Sequence, residues 1–181
     1  MIYAALLRGI NVGGNNKIDM KQLKTTFEGI GLQKVKTYIN SGNIVFTDDS
    51  HSAQELPGLL EQAIAADFGL TIPVMIRSLE DLQPIMDRLP DDWTNDSAMR
   101  SDVLYLWDDV DDEKVLEQLP AKEGIDRILY VKGAVLWSFD RDLAGKSGMH
   151  KIIGTKLYRR MTVRNVNTAR KIYELMLALQ D

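Results

Sequence analysis

Short apolar runs in the first part of the chain have the composition of β-strands. They are rich in β-branched and aromatic residues and are bounded by Gly, Asn, Asp or Ser, which is typical of strands. The runs lie at residues 2–8, 35–39, 43–47 and 72–78. Asn40, Ser41 and Gly42 separate the middle pair, and this composition predicts a hairpin turn.

Two helices are predicted between these strands by apolar residues at helical spacing, at about 20–30 and 52–67. Asp19 is a candidate N-cap for the first helix, and Gly31 a candidate stop. The resulting order is strand, helix, strand, strand, helix, strand. This is the split β-α-β, or ferredoxin-like, pattern.

The second part of the chain predicts a similar order of elements. The predicted elements are a connecting helix at 78–89, strands at 102–107, 126–131 and 134–139, a short helix at 111–119, a helix at about 146–159, a possible last strand at 161–164 and a C-terminal helix at about 165–179. We therefore predict an α+β fold of two tandem ferredoxin-like subdomains plus a C-terminal helix. The predicted boundaries are 1–78 for the first subdomain, 79–101 for a connecting helix and linker, and 102–181 for the second subdomain.

The composition is that of a soluble globular protein, with 45% hydrophobic and 27% charged residues. There is no cysteine, which excludes disulfides, thiolate metal sites and cysteine nucleophiles and fits a reducing compartment. The apolar run before Arg8 is too short for a signal peptide, and no stretch approaches the roughly 20 apolar residues of a membrane helix. We expect a cytoplasmic protein with no membrane partner.

Charge is distributed very unevenly along the chain, although the net charge is only −4. Residues 80–126 contain 15 acidic and 4 basic side chains, whereas residues 143–173 contain 8 basic side chains and no acidic one. Such a basic segment indicates either an anionic partner or neutralisation by the acidic part of the same chain.

Three polar stretches are the candidate functional residues. They read LLRGINVGGNN (6–16), TYINSGN (37–43) and TVRNVNT (162–168). We predict that they form one ligand-binding site, made of Arg8, Gly9, Asn11, Gly13, Gly14, Asn40, Ser41, Asn43, Thr162, Arg164, Asn165, Asn167 and Thr168. Each stretch also has a structural interpretation, as a positive-φ turn, a hairpin turn or a helix cap.

The first stretch combines glycines with an arginine directly after a strand. Backbone N–H groups in such a turn can bind an anion, and Arg8 can clamp a phosphate or carboxylate. The G-x-x-x-G-G spacing matches neither the dinucleotide fingerprint nor the phosphate loop. The later LAGKSG (143–148) resembles the end of a phosphate loop, but Asp140 stands where the leading glycine is needed, so triphosphate chemistry is excluded there.

Groups that carry out catalysis are scarce near these stretches. They contain amides, hydroxyls and arginines but no carboxylate or histidine, and His51 and His150 lie elsewhere. The His, Asp and Glu spacing predicts no metal, and we expect no cofactor. Lys17 and Asp19 are the nearest groups that could transfer protons. Whether the protein is an enzyme stays open at this point.

The same residues resemble a bacterial family catalogued as domain of unknown function 1697. The resemblance rests on LLRGINVGG, MKQLKTTFEGIGLQKVKTYINSGNIVF and the late KL…R…TVRNVNT. It implies a pair of ferredoxin-like subdomains and no particular activity. It adds Tyr38 and Gly42 to the signature positions. The family commonly has tryptophan where this chain has Val166, so a stacking platform or a core residue is replaced.

Three functional hypotheses remain. The first is a binding module for a small phosphate- or carboxylate-bearing ligand at the Arg/Asn/Gly loops. The second is a transferase or hydrolase that acts on such a ligand, with Arg8 and Arg164 stabilising charge. The third is a structural lock between the two halves, made by the same polar residues. Nucleic acid is a less favoured partner, because the isoelectric point is near 5.2.

Overall fold

A computed structural model describes every residue from Met1 to Asp181. Residue contacts divide the chain into two compact units. Unit 1 comprises residues 1–80 together with the C-terminal residues 172–181, and unit 2 comprises residues 81–171. No helix is both long enough and apolar enough to cross a membrane.

Unit 1 contains a four-stranded antiparallel sheet in the order β2-β3-β1-β4. Its elements are β1 (Ile2–Leu7), α1 (Met20–Gly29), β2 (Gln33–Tyr38), β3 (Asn43–Thr47), α2 (Leu56–Phe68) and β4 (Val74–Ser78). Sequence and spatial order together are those of the predicted split β-α-β fold. The core contains Phe27 of α1 against Phe46 of β3, with their rings edge to face at 6.1 Å.

The ends of α1 follow the local chemistry that the sequence predicts. The Asp19 side chain accepts hydrogen bonds from the backbone N–H groups of Lys21 and Gln22, at 2.9 and 3.0 Å. Gly31 follows the helix at φ +94°, a left-handed conformation that glycine adopts without steric cost. The N-terminal N–H groups of α1 are therefore satisfied by a carboxylate of the protein itself.

Unit 2 repeats the sheet of unit 1, in the order β6-β7-β5-β8. Its elements are α3 (Leu79–Arg88, which begins in unit 1), β5 (Met99–Leu106), β6 (Arg127–Val131), β7 (Ala134–Asp140), β8 (Met161–Asn165) and α4 (Val166–Leu177, which ends in unit 1). The possible last strand at 161–164 is thus confirmed as β8. Trp137 of β7 is fully buried in the core, beside Leu104 of β5.

The helix predicted at 146–159 is wrong, because three short 3-10 turns connect β7 to β8 instead. They span Arg141–Lys146, Met149–Ile152 and Leu157–Arg160. Ser147 is extended, with φ −66° and ψ 147°, and this ends the first turn. Gly148 packs so closely that an added Cβ would lie 1.6 Å from the Pro120 carbonyl oxygen. We call residues 141–160 the basic crossover.

The other predicted helices need smaller corrections. The short helix at 111–119 is replaced by 3-10 turns at Asp108–Val110 and Glu113–Gln118. In unit 1, α2 starts at Leu56 rather than at 52, because Ser52 and Glu55 form a reciprocal cap before it. Pro84 lies inside α3 without ending it.

Candidate functional site

The paired glycines of the first polar stretch form a tight turn. Gly13 and Gly14 have φ values of +58° and +78°, and the Asn15 N–H donates to the Val12 carbonyl at 2.9 Å. Two consecutive positive φ values at the centre of a closed turn are typical of a type I′ hairpin turn. The backbone therefore requires these glycines, whether or not a ligand binds beside them.

Asn11 fastens this loop to the hairpin between β2 and β3. Its side-chain amide donates to the Ile18 carbonyl at 3.1 Å and to the Asn40 carbonyl at 2.8 Å. Its side-chain oxygen accepts from the Ile18 N–H at 2.8 Å. Both amide hydrogens and the oxygen are thus engaged within unit 1, so Asn11 has no donor left for a ligand.

The end of β1 and the hairpin tip lie at the same end of the sheet of unit 1. Leu6 pairs with Asn43, and the Leu7 N–H donates to the Gly42 carbonyl at 2.9 Å. Gly42 has φ +86°, and an added Cβ would lie 2.7 Å from the Leu7 Cβ. The first two polar stretches therefore meet, and we call residues 6–16 and 37–43 together the glycine-rich end.

Side chains of the hairpin are also used internally. Asn43 is almost fully buried, and its amide donates to the Tyr38 carbonyl at 3.1 Å and to the Ser41 hydroxyl at 2.8 Å. Asn40 is exposed, and its carbonyl receives the bond from Asn11. Arg8 is half-buried and Gly9, at φ +79°, is exposed. Arg8 and Gly9 stay predicted ligand residues.

The third polar stretch belongs to unit 2, where Thr162 and Arg164 are buried in β8. Arg164 donates to the Thr162 hydroxyl at 2.9 Å and to the Val163 carbonyl at 3.0 Å. Burial lowers the pKa of Arg164 to about 10, while the nearby Tyr105 hydroxyl opposes that shift. Burial also raises the pKa of Tyr105. At neutral pH the site holds a cationic guanidinium beside a neutral phenol.

The remaining residues of this stretch begin α4. The Thr168 N–H donates to the Asn165 side-chain oxygen at 2.9 Å, so Asn165 caps α4, in agreement with the interpretation of this stretch as a helix cap. The Asn167 side chain donates to the Asn95 carbonyl at 3.0 Å. Val166 is fully buried, so the position where the family commonly has tryptophan lies in the core of this protein.

A second polar region, formed entirely within unit 2, is a cleft of about 480 Å³. One wall is the turn before β6, and the other is the basic crossover. The lining residues are Lys122, Glu123, Ile125, Gly145, Lys146, Ser147, His150 and Lys151. Three lysines face one glutamate, so the cleft carries a net positive charge. We call it the basic cleft.

The cations of the basic cleft have no partners within the protein. The side chains of Lys122, Lys146 and Lys151 are exposed and make no hydrogen bond or ion pair, and neither does His150. Arg160, also in the basic crossover, is bound instead by Asp109 through a hydrogen bond of 2.7 Å. The cleft therefore retains cations that are free to meet an anion.

Asp126 holds both walls of the basic cleft in place. Its carboxylate accepts from the Lys122 N–H at 2.8 Å on one wall, and from the Ser147 hydroxyl at 2.6 Å and the Gly148 N–H at 2.9 Å on the other. Burial raises the pKa of Asp126, but the hydrogen bonds outweigh burial and keep the pKa below its ordinary value. The indole nitrogen of Trp137 is buried and has no hydrogen-bond partner.

Sequence patterns could find only part of this cleft. Lys146, His150 and Lys151 lie in the basic segment that the charge distribution identifies. Lys122 and Glu123 belong to the strongly acidic segment, where a single lysine is inconspicuous. Only the fold brings the two segments together.

Comparison with known proteins places the chain in a family. The family model described as "Protein of unknown function (DUF1697)" matches residues 1–137. The chain belongs to this family. A solved structure of this kind, the conserved bacterial protein SP0830 from Streptococcus pneumoniae, is 35% identical. Its alignment covers 97% of this chain and 98% of that chain, with a TM-score of 0.82. No curated protein matches the chain.

The family match includes one wall of the basic cleft and ends before the other. In this DUF1697 protein, residues 1–137 contain the glycine-rich end and the turn of Lys122 and Glu123. The basic crossover and the third polar stretch follow the matched residues.

Proposed function

We propose that this DUF1697 protein is a binding module for a small anionic ligand, and that the basic cleft of unit 2 is its binding site. The observation that carries the proposal is the set of unpartnered lysines around one cleft, Lys122, Lys146 and Lys151, with the unpartnered imidazole of His150 also lining it. Three lysines and one carboxylate, Glu123, leave the cleft with a net positive charge, and a bound anion relieves the repulsion among the lysines.

The dimensions and rigidity of the basic cleft favour a small ligand. A volume of about 480 Å³ lies within the range of small-molecule sites. Asp126 fixes the backbone of both walls, so that only the lysine side chains need to rearrange on binding. The protein as a whole has net charge −4, which disfavours a long polyanion relative to a small one.

The residues of the three polar stretches, which were predicted to bind the ligand, have mainly a structural role in this proposal. We infer that Asn11, Asn43 and Asn165 act through their internal hydrogen bonds, as locks within their own units. This is the structural hypothesis restricted to each unit. Arg8, Gly9 and the exposed glycine turn remain candidates for a second anion contact, but the unpartnered lysines carry the stronger support.

Isothermal titration with inorganic phosphate and with sulfate tests the proposal. We expect saturable binding that weakens as salt rises, because these exposed charges are screened. Lys146→Ala and Lys151→Ala should each weaken binding several-fold, and the double variant should abolish measurable binding.

Lys132→Ala is the matched control, because Lys132 is an exposed lysine of unit 2 that does not line the cleft. It should bind as the unmodified protein does. Equal losses in Lys132→Ala and in the cleft variants would mean non-specific attraction and would contradict the proposed site.

A further inference from the structure

We propose that the ligand of the basic cleft is a phosphate ester of a polyhydroxy compound, such as a sugar phosphate, with Glu123 binding the hydroxyl groups. This inference rests on the proposed function of the cleft. It assigns the lysines to the phosphate and the glutamate to the uncharged part of the same molecule.

Glu123 is the observation that points beyond a bare anion. Glu123 lines the same cleft as the three lysines, and its side chain makes no hydrogen bond or ion pair. A carboxylate opposes the binding of inorganic phosphate, since the two are both negative. A ligand that carries hydroxyl donors as well as phosphate turns this repulsion into charge-assisted hydrogen bonds.

The position of Glu123 is fixed by the turn that carries it. The Ile125 and Asp126 N–H groups donate to the Lys122 carbonyl, at 3.0 and 2.8 Å. The Asp126 carboxylate in turn accepts from the Lys122 N–H at 2.8 Å. This closed turn, with Gly124 at φ +78°, holds Glu123 at its tip. Glu123 thus lies on the wall opposite the cations of the basic crossover.

Most of the basic groups lie on one wall of the cleft, and the carboxylate lies on the other wall, where Lys122 precedes it in the chain. Lys146, His150 and Lys151 come from the crossover, whereas the carboxylate comes only from the turn before β6. Ile125 adds an apolar surface to the turn wall. A phosphate ester of a sugar has this same division, with a dianion at one end and hydroxyls on a carbon frame at the other. Carboxylates bind sugar diols in the same way in dinucleotide sites.

Volume supports the same class of ligand. Inorganic phosphate fills only a small part of about 480 Å³. A five- or six-carbon sugar phosphate occupies much more of the cleft.

Titration calorimetry with ribose 5-phosphate and with inorganic phosphate tests the inference on the full chain. The unmodified protein should bind ribose 5-phosphate about tenfold more tightly, as expected for hydrogen bonds to a charged group. Glu123→Gln should weaken ribose 5-phosphate binding about fivefold and strengthen inorganic phosphate binding, so the two ligands should respond in opposite directions.

Glu117→Gln is the matched control, because Glu117 is an exposed glutamate of unit 2 outside the cleft and without a side-chain partner. It should leave both affinities unchanged. If Glu123→Gln strengthens both ligands alike, Glu123 only repels anions and the inference is overturned, while the anion site stands. If neither ligand binds the unmodified protein, both the proposed function and this inference are contradicted.

Discussion

The glycine-rich end of unit 1 and the basic cleft of unit 2 use polar residues in opposite ways. At the glycine-rich end, the side-chain amides of Asn11 and Asn43 donate hydrogen bonds to carbonyls and a hydroxyl of unit 1. In the basic cleft, the side chains of Lys146 and Lys151 have no partner. One region has satisfied its polar groups internally, and the other has not.

From this difference we infer that the conspicuous polar motif has a structural role and that the proposed binding site lies elsewhere. A buried polar group needs a partner, and the fold supplies it at the glycine-rich end. An exposed lysine needs none, so the free lysines around the cleft are available to the anionic ligand that we propose. The comparison predicts that variants at the first region change stability, and that variants at the second change binding.

The largest effect is expected at Gly42. Gly42→Ala places a Cβ 2.7 Å from the Leu7 Cβ and at φ +86°, so overpacking and backbone strain together should lower the free energy of unfolding by about 3 kcal/mol. Chemical denaturation measures this change. Gly13→Ala is the control for strain alone, because its φ is +58° but no atom lies within 4 Å of the added Cβ. Equal losses in the two variants would exclude the packing argument.

A smaller loss is expected at Asn11. Asn11→Ala removes three hydrogen bonds between the loop and its surroundings. The free energy of unfolding should therefore fall by about 2 kcal/mol. Phosphate binding by the folded variant should not change. Asn15→Ala, in the same loop but without a side-chain hydrogen bond, should be nearly neutral. Loss of phosphate binding in folded Asn11→Ala would move the site to the glycine-rich end.

Asp126 should make stability depend on pH. Because its pKa is lower in the folded protein, its contribution is present above the ordinary carboxyl pKa and is lost as pH falls through the folded value. After allowance for solvent screening, Asp126→Asn should cost about 1 kcal/mol at pH 7. That difference from the unmodified protein should shrink below about pH 4. Denaturation of both proteins across pH 2–7 measures it, and a difference that stays constant with pH would contradict this assignment.

The smallest effect on stability is expected in the basic cleft itself. Lys146→Ala and Lys151→Ala remove exposed side chains without partners, so each should change the free energy of unfolding by less than about 0.5 kcal/mol. Relief of repulsion between the lysines can even make the change slightly favourable. A loss comparable to that of Asn11→Ala would show that these lysines have a structural role.

Sequence patterns predicted the sheets well, because the strands are buried runs with clear turn signals. Asp19 as a helix cap and the hairpin at Asn40 to Gly42 follow from local chemistry alone and are confirmed. The helix at 146–159 failed because tertiary contacts override its propensity, with Gly148 pressed against Pro120 and held by Asp126.

The candidate site was harder to predict. The sequence pattern indicated asparagines and glycines as site residues. It could not show that the asparagine side chains make their hydrogen bonds within the protein. The side-chain amide of Asn11 donates to the backbone carbonyls of Ile18 and Asn40. Every residue has a backbone carbonyl, so residue types alone do not predict such bonds. The basic cleft brings Lys122, from the acidic segment, together with Lys146 and Lys151, from the basic segment. Only knowledge of the fold makes that grouping visible.

The most direct test of the central claim is an NMR titration of the ¹⁵N-labelled protein with phosphate. We predict that the backbone amides of residues 122–126 and 145–151 shift with a common saturation curve, while those of residues 8–16 and 38–43 stay in place. Saturable shifts confined to the glycine-rich end, with the basic cleft unchanged, would contradict the account.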